Sequence, residues 1–268
     1  MEKPLLEVKN LNKDFGVLKA VRDASFEIGR NEIVGLIGPN GAGKTTMIRL
    51  ITSLLKPTSG TIKFKGEDIT RQSIWGIVNK GIACTFQIVK PFRDLPVIAN
   101  VMVSCLCPRA SQQGDWVKMV EVRAKDALEF CGIADLALET ASVLSHGDLK
   151  RLELARAIAT DPELLLLDEP FGGLSPAETK LVAASLKRLH KGGRFGRLHS
   201  EGPALFIVEH KLSELMKLVD RVIVLNFGEI IAVETPEEVV KNKEVIKAYI
   251  GKEVEHLVSS NNKFDSSL

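Results

Sequence analysis

Short apolar runs, separated by glycine, proline and charged residues, are the clearest pattern along the chain. Residues 33–37, 164–167 and 204–208 form three such runs without a polar side chain. Runs of this length predict strands that are buried on both faces of a parallel sheet. We interpret residues 5–36 as β structure, because apolar and polar positions alternate in stretches such as 24–28.

Helical spacing replaces these patterns in the middle of the chain. Few strand patterns occur between residues 95 and 145, and residues 117–130 favour a helix. Residues 149–160 form an amphipathic stretch with its apolar side chains on one face. We therefore predict a helical subdomain at about residues 95–160, inserted in an α/β core.

The run at 33–37 leads into the sequence GPNGAGKTT, which fits the eight-position phosphate-loop pattern. The candidate nucleotide-binding residues of this loop are Gly38, Pro39, Asn40, Gly41, Ala42, Gly43, Lys44, Thr45 and Thr46. Glycines let backbone N–H groups wrap around an anion, and the following helix adds the positive end of its dipole. Lys44 brings a cation to the outer phosphates, and Thr45 offers a hydroxyl ligand to Mg²⁺. A glycine-rich turn with a chance lysine explains neither the full match nor its flanks.

The sequence ELLLLDEP at residues 163–170 places two carboxylates at the end of a predicted buried strand. In this type of fold that strand end lies beside the phosphate loop, so Asp168 is a candidate nucleotide contact and Mg²⁺ ligand. Glu169 is the candidate general base that accepts a proton from the attacking water. A strand merely capped by acidic loop residues is the alternative. The fold class that we predict is α/β: a P-loop NTPase core with a mixed sheet, an N-terminal antiparallel β region and the inserted helical subdomain.

Three further residues have positions that suit a ligand role. Gln87 follows the predicted strand at 81–86, and His210 follows the run at 204–208. Strand ends are where α/β sheets place their ligands, although a solvated amide and a structural histidine are the alternatives. Phe15 lies in a link between strands, where its ring could stack on a base or belong to the core.

The segment LSHGD at residues 144–148 precedes the amphipathic stretch. Ser145 and Gly147 therefore lie at a helix N-terminus, which is a second potential anion site. One compact chain need not bring both anion sites to the same phosphate. Two chains arranged head to tail could do so, each lending its helix end to the nucleotide of the other.

Composition narrows the function classes. The chain has 268 residues, of which 45% are apolar and 26% charged, so one large domain can bury a full core. The net charge of +2 argues against nucleic acid as an obvious partner. We see no signal peptide at the N-terminus and no apolar stretch that approaches a membrane span. Of the four cysteines, Cys105 and Cys107 could bind a metal as a pair, but reduced, small and buried side chains fit the set better.

These motifs, in this order, resemble the ATP-binding subunit of an ABC transporter from about residue 5 to residue 251. GPNGAGKTT is similar to Walker A, LLLLDEP to Walker B, and LSHGDLKRLELARAIA to the signature segment. The resemblance implies that Gln87 belongs to the Q-loop as a nucleotide and Mg²⁺ contact, that His210 is the switch histidine, and that Phe15 stacks on adenine. It also implies a single ATPase domain at residues 1–251 and a polar tail at 252–268.

Several stretches are similar to the branched-chain amino acid importer group, and importers of urea or other small amides and acids share much of the pattern. The resemblance implies an ATPase with ATP and Mg²⁺ as cofactors, paired with an identical or sibling cassette. Integral membrane permease subunits, and indirectly a substrate-binding protein, would be its partners at the cytoplasmic face of the membrane. A lipid exporter of the same fold and a soluble ABC ATPase acting on DNA or ribosomes are the rival classes.

Four features depart from the family pattern. His146 occupies the position of the first signature glycine, and Asp148 replaces the usual glutamine, which is unfavourable near a triphosphate unless Lys150 or Arg151 pairs with it. Ser175 stands where an aspartate is common, which puts communication across the dimer in doubt. The basic segment at 191–200 we interpret as a surface loop.

Overall fold

The computed structural model describes residues 3–86, 89–108, 116–192 and 202–249. The strands are β1 (Leu6–Phe15), β2 (Leu18–Ile28), β3 (Ile33–Ile37), β4 (Ser59–Phe64), β5 (Glu67–Asp68), β6 (Ile82–Cys84), β7 (Leu164–Asp168), β8 (Ala204–Val208), β9 (Arg221–Asn226) and β10 (Glu229–Glu234). The α-helices are α1 (Lys44–Ile51), α2 (Ile74–Lys80), α3 (Val97–Cys105), α4 (Trp116–Phe130), α5 (His146–Ile158), α6 (Pro176–His190), α7 (Leu212–Leu215), α8 (Pro236–Val239) and α9 (Lys243–Ala248). The described residues fall into two compact units, one within 1–71 and 207–268 and the other within 72–206.

The first unit contains an antiparallel sheet with the strand order β2-β1-β4-β5. The alternation of apolar and polar residues places one set of side chains in the core. Leu6 of β1 belongs to this set and pairs with Ile28 of β2 on one side and with Phe64 of β4 on the other. All three side chains are buried. The predicted N-terminal antiparallel β region is therefore confirmed.

A second group of strands in the same unit contains both parallel and antiparallel pairs. β3 runs parallel to β9, and β10 pairs antiparallel with β9 through a tight hairpin. Phe227 and Gly228 both have positive φ there, 45° and 84°, which suits the right-handed twist of a two-residue hairpin. All five residues of β3 are buried, as its continuous apolar sequence predicts.

The second unit combines parallel strands with a helical cluster. β6 pairs parallel with β7, Ile82 opposite Leu164. Helices α3, α4 and α5 contact one another, and this cluster accounts for the helical pattern in the middle of the sequence. The chain passes from the second unit to the first within β8, whose residues are all buried.

The predicted fold class is confirmed, while one strand end differs from the sequence-based expectation. β6 ends at Cys84 rather than at residue 86, because Phe86 gives its N–H to a side chain instead of a strand. α5 begins at His146 with Ser145 as its cap, in agreement with the helix N-terminus predicted at Ser145 and Gly147. The domain limits at 95, 160 and 251 stay predictions, and the tail at 252–268 lies outside the described residues. No helix in the described part of the chain is long and apolar enough to span a membrane.

The four cysteines are free thiols. Cys105 and Cys131 are buried, as predicted, whereas Cys84 and Cys107 are only half-buried. Burial raises the pKa of Cys84 to about 12, that of Cys105 to about 11 and that of Cys131 to about 12. Three of the four thiols are therefore held in the unreactive protonated form at neutral pH.

We expect a thiol reagent such as DTNB to label at most Cys107 quickly in the folded protein at pH 8. The thiolate, which is the reactive species, is a minute fraction of a thiol whose pKa lies several units above the pH. Unfolding in urea should then expose all the thiols, and Cys107→Ser should remove the fast phase. Rapid labelling of Cys84 in the folded protein would contradict its raised pKa.

Candidate nucleotide site

The phosphate loop lies in the first unit, between the end of β3 and the start of α1. Gly43 is the N-cap of α1, with φ 107°, and the N–H of Ala42 donates to the carbonyl of Pro39 at 3.1 Å. Asn40 and Gly41 are exposed at the tip of the loop. The predicted arrangement of strand, glycine loop and helix is thus present.

Two glycines of the loop are required by the neighbouring backbone. Because Ile37 pairs with Val224, the next residue, Gly38, lies beside Leu225, and a Cβ there would overlap the Leu225 carbonyl oxygen. A Cβ on Gly43 would overlap the carbonyl oxygen of Ala20. The chain can pass from β3 into α1 here only because Gly38 and Gly43 have no side chain.

The phosphate loop has a positive electrostatic potential, to which Lys44 and the N-terminus of α1 contribute. Lys44 is 6% exposed, and its ammonium group donates to the carbonyls of Gly38, at 2.6 Å, and Pro39, at 3.0 Å. The first turn of α1, which is described in full, contains no acidic residue, and Thr45 and Thr46 are half-buried there. A buried cation beside a helix N-terminus suits a polyphosphate.

Phe15 ends β1 beside a sharp turn and is 45% exposed. The ammonium group of Lys13 lies 4.9 Å from the centre of its ring. The alternative that Phe15 belongs to the core is therefore wrong. An exposed ring fits the predicted stacking role, which remains a prediction.

His210 lies two residues after the end of β8 and is exposed in the first unit. The preceding Glu209 is only 2% exposed, and its carboxylate accepts hydrogen bonds from the N–H groups of His210 (2.8 Å) and Lys211 (3.1 Å). Glu209 therefore fixes the turn that carries the histidine. Its adjacency to His210 was the only signal of this role in the sequence.

In the second unit the two carboxylates of the ELLLLDEP sequence differ in exposure and backbone conformation. Asp168 ends β7 and is 3% exposed. Glu169 is half-buried and has a φ of 52°, an uncommon conformation for a residue other than glycine. Its carbonyl accepts from the N–H of Gly172 at 3.0 Å and from the ammonium of Lys150 at 3.3 Å. The turn after the strand thus begins at Glu169, in a left-handed backbone conformation whose carbonyl is held by two hydrogen bonds.

Ser145 is the N-cap of α5, and its hydroxyl oxygen accepts from the N–H of Asp148 at 3.1 Å. The same hydroxyl donates to the Asp148 carboxylate at 2.6 Å. Arg151 pairs with Asp148 at 3.6 Å, whereas Lys150 bonds to another group. The predicted charge partner of Asp148 is therefore Arg151.

His146 and Gly147 connect the start of α5 to the loop that precedes α6. The Nε2 atom of His146 lies 3.2 Å from the carbonyl oxygen of Gly172. A Cβ on Gly147 would overlap the carboxylate of Glu178, which forms a capping box with Ser175 at the start of α6. The hydrogen bond from Ser175 holds the pKa of Glu178 below its usual range. Ser175, in the position where an aspartate was expected, is thus a helix cap.

The predicted site residues are therefore divided between the two units. The first unit holds the phosphate loop, Phe15 and His210, and the second holds Asp168, Glu169 and the start of α5. Gln87 lies outside the described residues, as do residues 193–200 of the predicted basic loop at 191–200. Within the described ranges, no three His, Cys, Asp or Glu side chains gather closely enough to hold a metal ion. The hydroxyl of Thr45 and the carboxylate of Asp168 are nevertheless the hard oxygen donors that Mg²⁺ prefers.

Comparison with known proteins found matches that cover most of the chain. A family profile described as ABC transporter matches residues 21–172, more than half of the chain. The high-affinity branched-chain amino acid transport ATP-binding protein LivG of Salmonella typhimurium is 37% identical over 262 residues, covering 94% of this chain and 99% of that protein. The corresponding protein BraF of Pseudomonas aeruginosa is 32% identical, with the same coverage of 94% and 99%.

Solved structures agree with this similarity. A nucleotide-free ATP-binding cassette from an ABC transporter has a TM-score of 0.80 at 29% identity, covering 93% of this chain and 100% of that one. The ADP conformation of such a cassette also has a TM-score of 0.80 at 29% identity, covering 94% and 100%. A dimeric cassette in a post-hydrolysis state, bound to ADP and Pi, has a TM-score of 0.73 at 25% identity, covering 86% and 98%.

Gly43→Ala should destabilise the fold much more than Gly41→Ala. Both glycines have positive φ, but a Cβ on Gly43 meets the Ala20 backbone, whereas nothing lies within 4 Å of one on Gly41. We expect a loss of about 1 kcal/mol of unfolding free energy for Gly41→Ala and of about 3 kcal/mol or more for Gly43→Ala. Urea denaturation of the two variants measures the difference. Equal losses would show that the backbone contact has no effect.

Proposed function

Because the chain belongs to the ABC transporter family, we propose that it is the ATP-hydrolysing subunit of an importer for branched-chain or related amino acids. The observation that carries the proposal is the phosphate loop, in which a buried lysine and a helix N-terminus accompany two glycines, Gly38 and Gly43, whose surroundings leave no room for a Cβ. The amino-acid cargo is suggested by the LivG and BraF proteins, whose length the chain matches almost completely.

ATP would be held by the residues 38–46 of the loop, with Phe15 against the adenine. Lys44 would neutralise the charge of the outer phosphates. Thr45, Asp168 and Gln87 would hold Mg²⁺, which neutralises phosphate charge and orients the terminal phosphate when it is bound. The oxygen donors of these three residues match that ion, so the residues present fit the group.

Glu169 would act as the general base. A carboxylate at this position can accept a proton from the water that attacks the terminal phosphate, provided that the site excludes bulk solvent. His210 would donate a hydrogen bond to the same phosphate, and Glu209 keeps the backbone of that histidine in place. Phosphoryl transfer depends mainly on such positioning and charge stabilisation.

A second cassette, identical or a sibling, would complete the site. The N-terminus of α5, with Ser145 and Gly147, is an anion site in its own unit that the chain's own loop need not use. In a head-to-tail pair it would face the nucleotide of the partner cassette. Hydrolysis would then remove the phosphate that bridges the two cassettes and weaken their contact.

The membrane partners follow from the family. Permease subunits would carry the cargo across the membrane, and a substrate-binding protein would deliver it. The chain itself would lie at the cytoplasmic face as a peripheral subunit. The cargo is selected by those partners, so the chain's own residues do not identify it.

Glu169→Gln should bind ATP with unchanged affinity, hydrolyse it at least about a hundred-fold more slowly, and accumulate as a dimer with Mg²⁺ and ATP. The amide keeps the size of the side chain but cannot accept the proton. Size-exclusion chromatography with light scattering, with the sibling cassette added if needed, measures the dimer. The double variant Glu169→Gln with Lys44→Ala should stay monomeric. A wild-type hydrolysis rate in Glu169→Gln would remove Glu169 from the role of base.

The complex reconstituted in vesicles should show ATPase activity that is stimulated by its cargo-loaded binding protein. We expect stimulation by leucine, isoleucine or valine, measured as phosphate release and compared with urea and with sulfate as control cargoes. Stimulation by urea alone would redirect the cargo assignment while leaving the ATPase assignment intact.

A further inference from the structure

The turn that carries Glu169 is bonded to helix α5 at both of its ends. The N–H of Gly172 donates to the Glu169 carbonyl at 3.0 Å and closes the turn. The Nε2 atom of His146, the first residue of α5, lies 3.2 Å from the carbonyl oxygen of Gly172. The ammonium group of Lys150 donates to the Glu169 carbonyl at 3.3 Å. Residues four apart on a helix share a face, so these two side chains reach the turn from one face of α5.

The direction of the His146 hydrogen bond follows from its partner. A carbonyl oxygen can only accept, so the Nε2 atom of His146 is the donor and carries a proton. The charged ring and the neutral ring with its proton on Nε2 can both make this bond. Glycine, which the family pattern has at this position, offers no side-chain donor. The histidine therefore adds a hydrogen bond that a glycine there could not make.

The neighbouring backbone leaves space for the His146 ring. A Cβ on Gly173 would lie 2.6 Å from the Nε2 atom of this ring, closer than two such atoms can approach without a bond. The ring itself is exposed, whereas Lys150 is only 7% exposed. The ring thus fits closely against the loop before α6, and removing it opens no cavity in the core.

Glu169 has a backbone conformation that depends on support of this kind. Its φ of 52° is uncommon for a residue other than glycine, and such conformations persist only where the surroundings hold them. We propose that His146 is a positioning residue for Glu169. By donating to the Gly172 carbonyl, it keeps the turn closed and the carboxylate where it can take a proton from the attacking water. This inference rests on the proposed function, in which Glu169 is the general base, and His146 itself does not touch the reacting atoms.

The first experiment measures steady-state ATP hydrolysis by the assembled transport complex. His146→Ala should lower kcat about ten-fold, because a small displacement of a catalytic group costs much of its rate. The KM for ATP should not change, since the phosphate loop keeps all its contacts. His146→Gln should restore kcat, because its side-chain amide N–H can reach the same carbonyl oxygen. A kcat in His146→Gln as low as that in His146→Ala would overturn the proposal.

His190→Ala is the matched control. His190 is the last residue of α6, and its Nδ1 atom lies 3.0 Å from the carbonyl oxygen of Pro203. The variant therefore loses a contact between a histidine ring and a carbonyl that does not involve the turn at Glu169. Its kcat should equal that of the wild type. A decrease as large as that in His146→Ala would indicate a general loss of stability and contradict the positioning role.

The second experiment needs no nucleotide and follows hydrogen–deuterium exchange in the full-length protein. In His146→Ala, peptides that cover residues 169–175 should exchange several-fold faster, because the turn is no longer held at Gly172. His146→Gln and His190→Ala should exchange there like the wild type. Unchanged exchange in His146→Ala would show that the ring does not hold the turn and would end the proposal.

Two further measurements separate this inference from the proposed function. In the Glu169→Gln background, adding His146→Ala should leave the ATP-dependent dimer intact. A weaker dimer would show that the ring binds the nucleotide of the partner cassette, and the positioning role would be wrong. A wild-type rate in Glu169→Gln would remove the general base of the proposed function and this inference with it. Slow hydrolysis in Glu169→Gln together with a normal kcat in His146→Ala would overturn the positioning role alone.

Discussion

The close approach of backbone to backbone around the phosphate loop is the constraint on which the first unit depends. β3 must leave the sheet beside the Leu225 carbonyl and enter α1 beside the Ala20 carbonyl. Only glycine fits at these two crossings, so Gly38 and Gly43 follow from the register of β3 against β9 and from the course of β2. Lys44 is buried in the same loop, where the carbonyls of Gly38 and Pro39 accept from its ammonium group. The anion site is therefore a result of how strands pack and not an added feature.

In the second unit, helix α5 is the element that connects the parts of the predicted site. Its N-terminus bears the Ser145 cap, its middle bonds to the backbone near Gln87, and Lys150 on the same helix bonds to the Glu169 carbonyl. One rigid element of 13 residues thus contacts three parts of the predicted machinery. Because a helix moves as a body, these parts cannot change position independently. In the proposed function, the helix would give hydrolysis and dimer contact a common mechanical element within a single unit.

The sequence predicted the motifs and the fold class well, because both depend on local spacing. A glycine loop between strand and helix, or four leucines before two carboxylates, is a short-range pattern with a physical meaning of its own. The contacts of Glu153 with Phe86 and of His146 with Gly172 join residues 67 and 26 positions apart. No periodicity indicates which side chain meets which backbone group over such separations. The end of β6 was misplaced for the same reason, since the acceptor of the Phe86 N–H lies on a distant helix.

Asp148, one of the departures from the family pattern, changes the electrostatic potential at the start of α5. Asp148 lies in the first turn, where a carboxylate stabilises a helix by opposing its dipole. The same charge lowers the positive potential that would attract a phosphate, and Arg151 offsets it only at 3.6 Å. The Ser145 hydroxyl is also engaged with Asp148, so binding a partner's phosphate requires that bond to be exchanged. In the proposed function, this end of the helix would therefore be the weaker anion site of the two, and the loop with its buried lysine would supply most of the attraction for the triphosphate.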